Sequence, residues 1–288
     1  MEFRIAADDE NVRLDRFVRK KYQDVALTAI FRLIRKGVVR VNGKKKKPDY
    51  RLVLDDVVNV RIQDKPTKDK ALIILSARQK KLLSSVIAFE NDNILFCNKP
   101  PGIAMHAGSG HEYGFVEMVR AYTRNPGFTF VNRLDKATAG LVIGAKNGRA
   151  ARELSALIRD NGVVKYYMAV VQGQVKEDVF TLRSFLKKEA TRVQECAASQ
   201  EGAKQATTHF KVVKRNRQQN TTLLEARLET GRTHQLRVQL TTAGHPIVGD
   251  VKYGGKKAPN MLLFSYRVSI DSLEIDVQLP LPDYFPKE

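Results

Sequence analysis

The stretch VNRLDKATAG, residues 131–140, holds a single carboxylate, Asp135, between Arg133 and Lys136. The neighbouring acids along the chain are Glu117 and Glu153, and the interval between them is otherwise basic: Arg120, Arg124, Arg133, Lys136, Lys146, Arg149 and Arg152. A catalyst that works through one carboxylate must keep it ionised, reachable and fixed. A nearby arginine favours the anion, and its planar fork can hold both oxygens. For an isolated Arg-Leu-Asp the plainer reading is an ion pair that fastens a loop, so the case for chemistry rests on further stretches.

ILFCNKPPGIAMHAG, residues 94–108, reads as a strand entering a rigid Pro100-Pro101-Gly102 turn, which is expected to bring Lys99 and His106 to a common rim. In KYYMAVVQG, residues 165–173, alternation on a strand sends Tyr166 and Tyr167 to opposite faces, so one of them faces inward and can stack on a flat base. LETGRTHQLRVQLTTAGHPIVGD, residues 228–250, has no acid from Thr230 to Gly249. There the spacing predicts a turn at Gly231, Thr233 as a helix N-cap and Gly244 as the stop, with Arg232, His234, Arg237 and His245 aimed at an anion.

Other chemistries are poorly served. No CxxC, HExxH or other His and carboxylate spacing suggests a metal, and there is no P-loop and no GxSxG elbow. Glycoside hydrolysis asks for two carboxylates across one bond, and the acid-free surroundings of Asp135 leave a second one hard to find. What remains is a single-carboxylate reaction on an anionic polymer.

The elements that must position these residues follow from patterning. Strand-like runs at ILFCN, LVIGA, KYYMAVV, HFKVVK, LLEARLE, MLLFSYRV and EIDVQL, with a helix at GRAARELSALIRD, predict an α+β domain with a mixed, mainly antiparallel sheet. Ahead of it, residues 12–62 read as a small unit. Leu14, Phe17 and Val18 mark one helix, Ile30, Leu33 and Ile34 a second with Thr28 as its N-cap and Gly37 at its end, and VVRV with Asn42-Gly43 a strand and turn. The expected division is residues 1–62, a connector at 63–85 marked by Pro66 and a cluster of charges, and a main domain at 86–288.

The 288 residues carry 50 Lys and Arg against 31 Asp and Glu, a formal charge of +19, which favours a polyanion as partner. Nucleic acid leads. No run reaches the roughly 18 apolar residues of a membrane span, the N-terminus lacks the pattern of a secretory signal, and Cys97 and Cys196 make no disulfide framework. A reducing cytoplasm is the expected compartment. In the first unit the basic residues gather on Arg16, Arg19 and Lys20, on Arg32, Arg35 and Lys36, and on Lys44, Lys45, Lys46 and Lys47.

That first unit resembles the S-four-type RNA-binding module, named after a small-subunit ribosomal protein. The resemblance implies RNA backbone contacts from Arg32, Arg35, Lys36, Lys44, Lys45 and Lys46. NKPPGIAMH, NRLDKATAGLVIGAKN, KYYMAVVQG and LETGRTHQLRVQLTTAGHPIVGD occur in the order found in RluA-type pseudouridine synthases, and the similarity runs through nearly the whole chain from about residue 12.

That family isomerises uridine in RNA to pseudouridine without cofactor or metal. By resemblance Asp135 is the catalytic aspartate, Tyr167 packs on the target base, Arg237 holds Asp135, and Arg133 and Leu134 complete the loop motif around the substrate. Asn132 and Ala139 stand where the family commonly has His and Ser. The expected partner is large-subunit ribosomal RNA, acted on by a monomer, with transfer RNA, a non-catalytic assembly role and a nucleosidase as alternatives. Whether Asp135 acts as nucleophile or as base stays open.

Overall fold

The computed structural model describes residues 1–22, 25, 27–61, 73–107, 113–189 and 192–286. The chain forms two units, Met1–Leu72 and Ile73–Glu288.

The first unit contains β1 (Glu2–Arg4), α1 (Leu14–Lys21), α2 (Leu27–Lys36), β2 (Val39–Val41) and β3 (Val57–Val60). The strands form an antiparallel sheet in the order β1-β3-β2. The apolar stripe read from the sequence is the core: Leu14, Phe17 and Val18 pack with Ile30 and Ile34 and with Val39, Val41 and Val58. Full burial of each such side chain contributes about 1.5–3 kcal/mol. Gly37 closes α2 in the left-handed region, φ +74°. Thr28 is not the N-cap, because the helix already starts at Leu27.

Asn42 and Gly43, both at positive φ, make the tight turn after β2, and the Asn42 side chain accepts the Val57 N–H at 2.7 Å and donates to Asp56 at 2.7 Å. Arg32, Arg35, Lys36, Lys44 and Lys45 are exposed, and the Lys46 ammonium lies 4.4 Å from the centroid of the Tyr50 ring.

The segment expected to be a connector lies partly outside the described residues, Pro66 included. Its C-terminal part is α3 (Ala77–Ser85), begun by a capping box between Ser76 and Gln79 and buried through Leu83.

After it come β4 (Ile87–Glu90), β5 (Ile94–Lys99), α4 (Phe115–Thr123), β6 (Thr129–Phe130), β7 (Ala139–Ala145), α5 (Gly148–Arg159), β8 (Val164–Gln172), β9 (Val179–Lys188), β10 (Val193–Cys196), β11 (Lys204–Asn216), β12 (Thr221–Leu228), α6 (Gln235–Thr242), β13 (Leu263–Ile270) and β14 (Ile275–Gln278). The strands build an 11-stranded sheet with the path β10-β9-β11-β12-β8-β13-β7-β5-β4, β14 beside β13 and β6 beside β7. Among the described pairings, that of β13 with β7 is parallel and the others antiparallel, as the scatter of strands and helices predicts.

Two features of this sheet place the Asp135 loop. The loop joins β6 to β7, an antiparallel pair, so its ends are held together: Val131 donates to Ile143 at 2.9 Å, and the Asn132 amide oxygen accepts the Ile143 N–H at 2.7 Å. At the start of β7, Gly140 has φ +114°, and a Cβ there would lie 2.2 Å from the Ser265 carbonyl oxygen. Only glycine permits β13 to approach that closely.

Candidate active site

Asp135 lies in this loop, whose backbone is tied down on both sides of it. Thr138 donates to the Asp135 carbonyl at 3.1 Å and Gly102 to the Lys136 carbonyl at 2.8 Å. Beneath them the Lys99 ammonium donates to the carbonyls of Pro100, Ile103 and Lys136 at 2.8, 3.0 and 3.2 Å. Lys99 is fully buried, and burial lowers its pKa to about 8 despite the opposing pull of Asp135.

The sequence placed Lys99 on a rim with His106. It lies instead under the loop, because three carbonyls satisfy an ammonium inside the protein better than an open rim would. His106 is exposed and takes no part in the cavity described next. Gly108, the end of that expected stretch, lies outside the described residues.

The second wall is α6. Residues Gln235 to Leu240 are all buried, so this is a helix enclosed on every side rather than a basic amphipathic one. Its polar side chains are paired accordingly. Gln239 donates to Leu182 O, Ser184 Oγ and Ala206 O, and Gln235 to Thr207 O and Thr208 Oγ1, bolting the helix onto β9 and β11. The residue ahead of the helix is His234, in the left-handed region at φ +54°, so the N-cap position belongs to it and not to Thr233. Gly244 ends the helix as expected, φ +84°.

This frame aims Arg237 at Asp135. Its Nη1 donates to Asp135 Oδ2 at 2.8 Å, while Nε and Nη2 grip both oxygens of Asp250 at 2.7 and 2.8 Å. Burial alone would lower the arginine's pKa, but the hydrogen bonds to Asp250 and Asp135 and their charges drive it above its usual range, so the guanidinium is permanently charged. The two acids differ in reach: the Asp135 side chain is 21% exposed and the Asp250 side chain 2%.

A second carboxylate therefore does exist near Asp135, contrary to the sequence reading. Asp250 is sealed behind the arginine and does not line the cavity, so it orients rather than reacts. Asp135 Oδ1 receives no hydrogen bond among the described residues.

These elements enclose a cavity of about 650 Å³ lined by Asp135, Arg133, Leu134, Lys165, Tyr167, His234 and Arg237 among others. Tyr167, and not Tyr166, is the inward tyrosine of β8; burial pushes its hydroxyl up to about 12. Leu134 is buried, and Arg133 is exposed at the margin without pairing to Asp135. The arginine that holds the acid comes from 102 residues away in sequence. Lys165, whose pKa burial lowers, also faces this space.

Of the four basic residues expected around α6, Arg232, His234 and Arg237 line the cavity. His245 does not: its Nδ1 is engaged by the Gln172 carbonyl at 2.9 Å, fastening the end of the helix to β8. Asp250 and Lys165 were not singled out for this site from the sequence, although both fall within the quoted motifs. Among the described residues no group of three or more His, Cys, Asp or Glu is arranged to hold a metal ion.

Comparison with known proteins converges on one family. The family model described as RNA pseudouridylate synthase matches residues 93–242. The chain is 38% identical over 261 residues to the ribosomal large subunit pseudouridine synthase C of Salmonella typhimurium, covering 90% of this chain and 81% of that protein.

This chain belongs to the RNA pseudouridylate synthase family.

The Escherichia coli protein of the same name is 37% identical over the same span. Among solved structures, human RNA pseudouridylate synthase domain containing 1 aligns with TM-score 0.57 and 26% identity over 68% of this chain and 83% of that one. Human RNA pseudouridylate synthase domain containing 4 shares the fold, with TM-score 0.62 and 21% identity over 72% of this chain and 92% of that one. As a pseudouridine synthase the chain is an intramolecular isomerase: base and sugar part and rejoin through a different atom of the base. The motif departures fit the synthase fold. Asn132 supplies the loop's hydrogen bond to Ile143, and Ala139 is buried opposite Phe264 where β7 meets β13.

Proposed function

We propose that this pseudouridine synthase acts on one or more uridines of large-subunit ribosomal RNA, with Asp135 as its working carboxylate. The observation that carries the reading is the Asp135 side chain, one oxygen held by Arg237, opening into a cavity that Tyr167 also lines. The ribosomal target is supported by the relatives at 37–38% identity named for that RNA.

A uridine in folded RNA cannot present its glycosidic bond, so the nucleotide is extruded into the cavity, at a cost of a few kcal/mol. Stacking on Tyr167 offsets about 1–3 kcal/mol of that. Leu134 gives the base an apolar wall, and Arg133 takes a phosphate at the margin. Asp135 Oδ1, which receives no hydrogen bond among the described residues, meets the sugar, while Arg237 keeps the carboxylate's plane fixed. Residues 1–62 serve as an S-four-type module that adds phosphate contacts through Arg32, Arg35, Lys36, Lys44, Lys45 and Lys46, and residues 86–288 are the catalytic domain. The enzyme works as a monomer in the cytoplasm.

The test is a pseudouridine map of ribosomal and transfer RNA from cells with the gene intact, deleted, or encoding Asp135→Asn. Loss of a defined large-subunit position in both altered strains is expected. Loss confined to transfer RNA would redirect the substrate, and an unchanged map with an assembly defect on deletion would end the catalytic reading.

A further inference from the structure

Isomerisation of uridine poses a proton problem at a second place in the base. In uridine, C5 carries a hydrogen and N1 the sugar; in the product C5 carries the sugar and N1 a hydrogen. Once the C5–C1′ bond has formed, the C5–H bond must break. Its electron pair becomes the C5=C6 double bond, the former C6=N1 pair withdraws onto N1, and N1 takes a proton. The step is redox-neutral and needs only an acceptor inside the cavity.

Resting on the reading that uridine reacts beside Asp135, we infer that His234 is a second catalytic residue, whose Nε2 accepts the C5 proton of the rearranged base. The imidazole Nε2 lies 3.5 Å from Asp135 Oδ2, on the cavity wall. Behind it stands Tyr253, a buried residue whose hydroxyl accepts the Val193 N–H at 3.1 Å and lies 3.2 Å from the Val193 carbonyl. The same hydroxyl is 2.7 Å from His234 Nδ1, and its one proton can go to either acceptor. In the proposed tautomer that proton goes to Val193, Nδ1 carries the ring hydrogen, and Nε2 presents a lone pair to the cavity.

Lys165 also lines the cavity and is the rival acceptor; the others are already engaged or charged. The arginines are charged, Tyr167 keeps its proton, and Glu229 is engaged by His209 at 3.0 Å. Burial lowers the pKa of His234, so the ring is held neutral and ready; Asp135 and Asp250 pull the other way, and Arg237 and Lys252 add to the lowering. Once protonated, the imidazolium faces the Asp135 carboxylate and can release its proton to N1 or to water. The left-handed backbone at φ +54°, uncommon for a residue other than glycine, accompanies a ring set edge-on to Tyr253 at 5.5 Å between centroids. Such strain persists where the surrounding structure enforces it.

The test uses the full chain and large-subunit ribosomal RNA transcribed in vitro with uridine either protiated or deuterated at C5, under single-turnover conditions. His234→Asn tolerates the left-handed backbone and lacks a basic nitrogen. We expect it to slow pseudouridine formation by about 100-fold or more, to bind RNA as the wild type does, and to show a C5 deuterium isotope effect larger than the wild type's. A structural role would lower the rate without raising that isotope effect, and this result would overturn the proposal, as would a wild-type rate. A raised isotope effect in Lys165→Met but not in His234→Asn would assign the proton to the lysine instead. Pseudouridine formed equally by wild type and Asp135→Asn would sink the reading of the cavity itself, and the inference with it.

Discussion

Arg237 is the residue on which the site's stability and its chemistry meet. It stands between a reachable acid and a sealed one, so truncation leaves the Asp250 anion buried without a partner. Breaking a buried pair from one side costs about 3–5 kcal/mol. Arg237→Ala is therefore expected to lower the urea midpoint by that equivalent at unchanged slope, as well as to abolish turnover. Replacing the pair together, Arg237→Met with Asp250→Leu, should restore much of the midpoint because no charge is left stranded. It should not restore turnover, since nothing then holds Asp135. Recovery of both would show that Arg237 only supports the fold.

At the scale of elements, the loop between β6 and β7 is controlled from below by Lys99 and from the side by β13. Lys99 is buried with its pKa lowered to about 8, against the ordinary value of 10.5. The folded state thus binds this proton more weakly than the unfolded chain, and stability gains as pH rises from about 8 to 10.5. In the same window the amine loses its third donor, so the grip on the Lys136 carbonyl beside Asp135 loosens and turnover falls. The two trends have opposite signs. Comparison with Lys99→Met across pH 7 to 10 isolates them: the variant should lack both this stability gain and this loss of turnover. Gly140→Ala, whose Cβ would meet Ser265 O at 2.2 Å, is expected to force β7 from β13 and to unfold the site at lower denaturant than the wild type.

On the scale of the whole molecule, a net charge of +19 makes RNA affinity a salt-dependent quantity. Each phosphate neutralised contributes about 0.7–0.9 to the slope of log affinity against log salt. The triple change of Arg32, Arg35 and Lys36 to Gln removes three exposed cations from α2 and should flatten that slope by roughly 2–3, with little effect on the melting transition. An unchanged slope, measured by filter binding at several salt concentrations, would remove α2 from the RNA interface. Among the described residues no helix is long and apolar enough to cross a membrane.

Much of this was legible in one dimension. Periodicity placed the helices of the first unit through Leu14, Phe17, Ile30 and Ile34, and the strands through runs such as LVIGA and KYYMAVV, because burial imposes a repeat on whichever face is covered. The lone acid at 135 was visible because its neighbours are basic, whereas Tyr167 was singled out from Tyr166 by resemblance to the family's motif. Thr28 and Thr233 failed as caps because a helix boundary is set by backbone torsions one or two residues away. Only the tertiary structure decided which arginine holds Asp135, that Asp250 stands behind it, that Lys99 lies under the loop, and that His234 stands beside Asp135 with Tyr253 against its other nitrogen. Such pairings join residues tens to about a hundred positions apart, and a charge is recognised by distance in space, which the order of residues along a chain does not record.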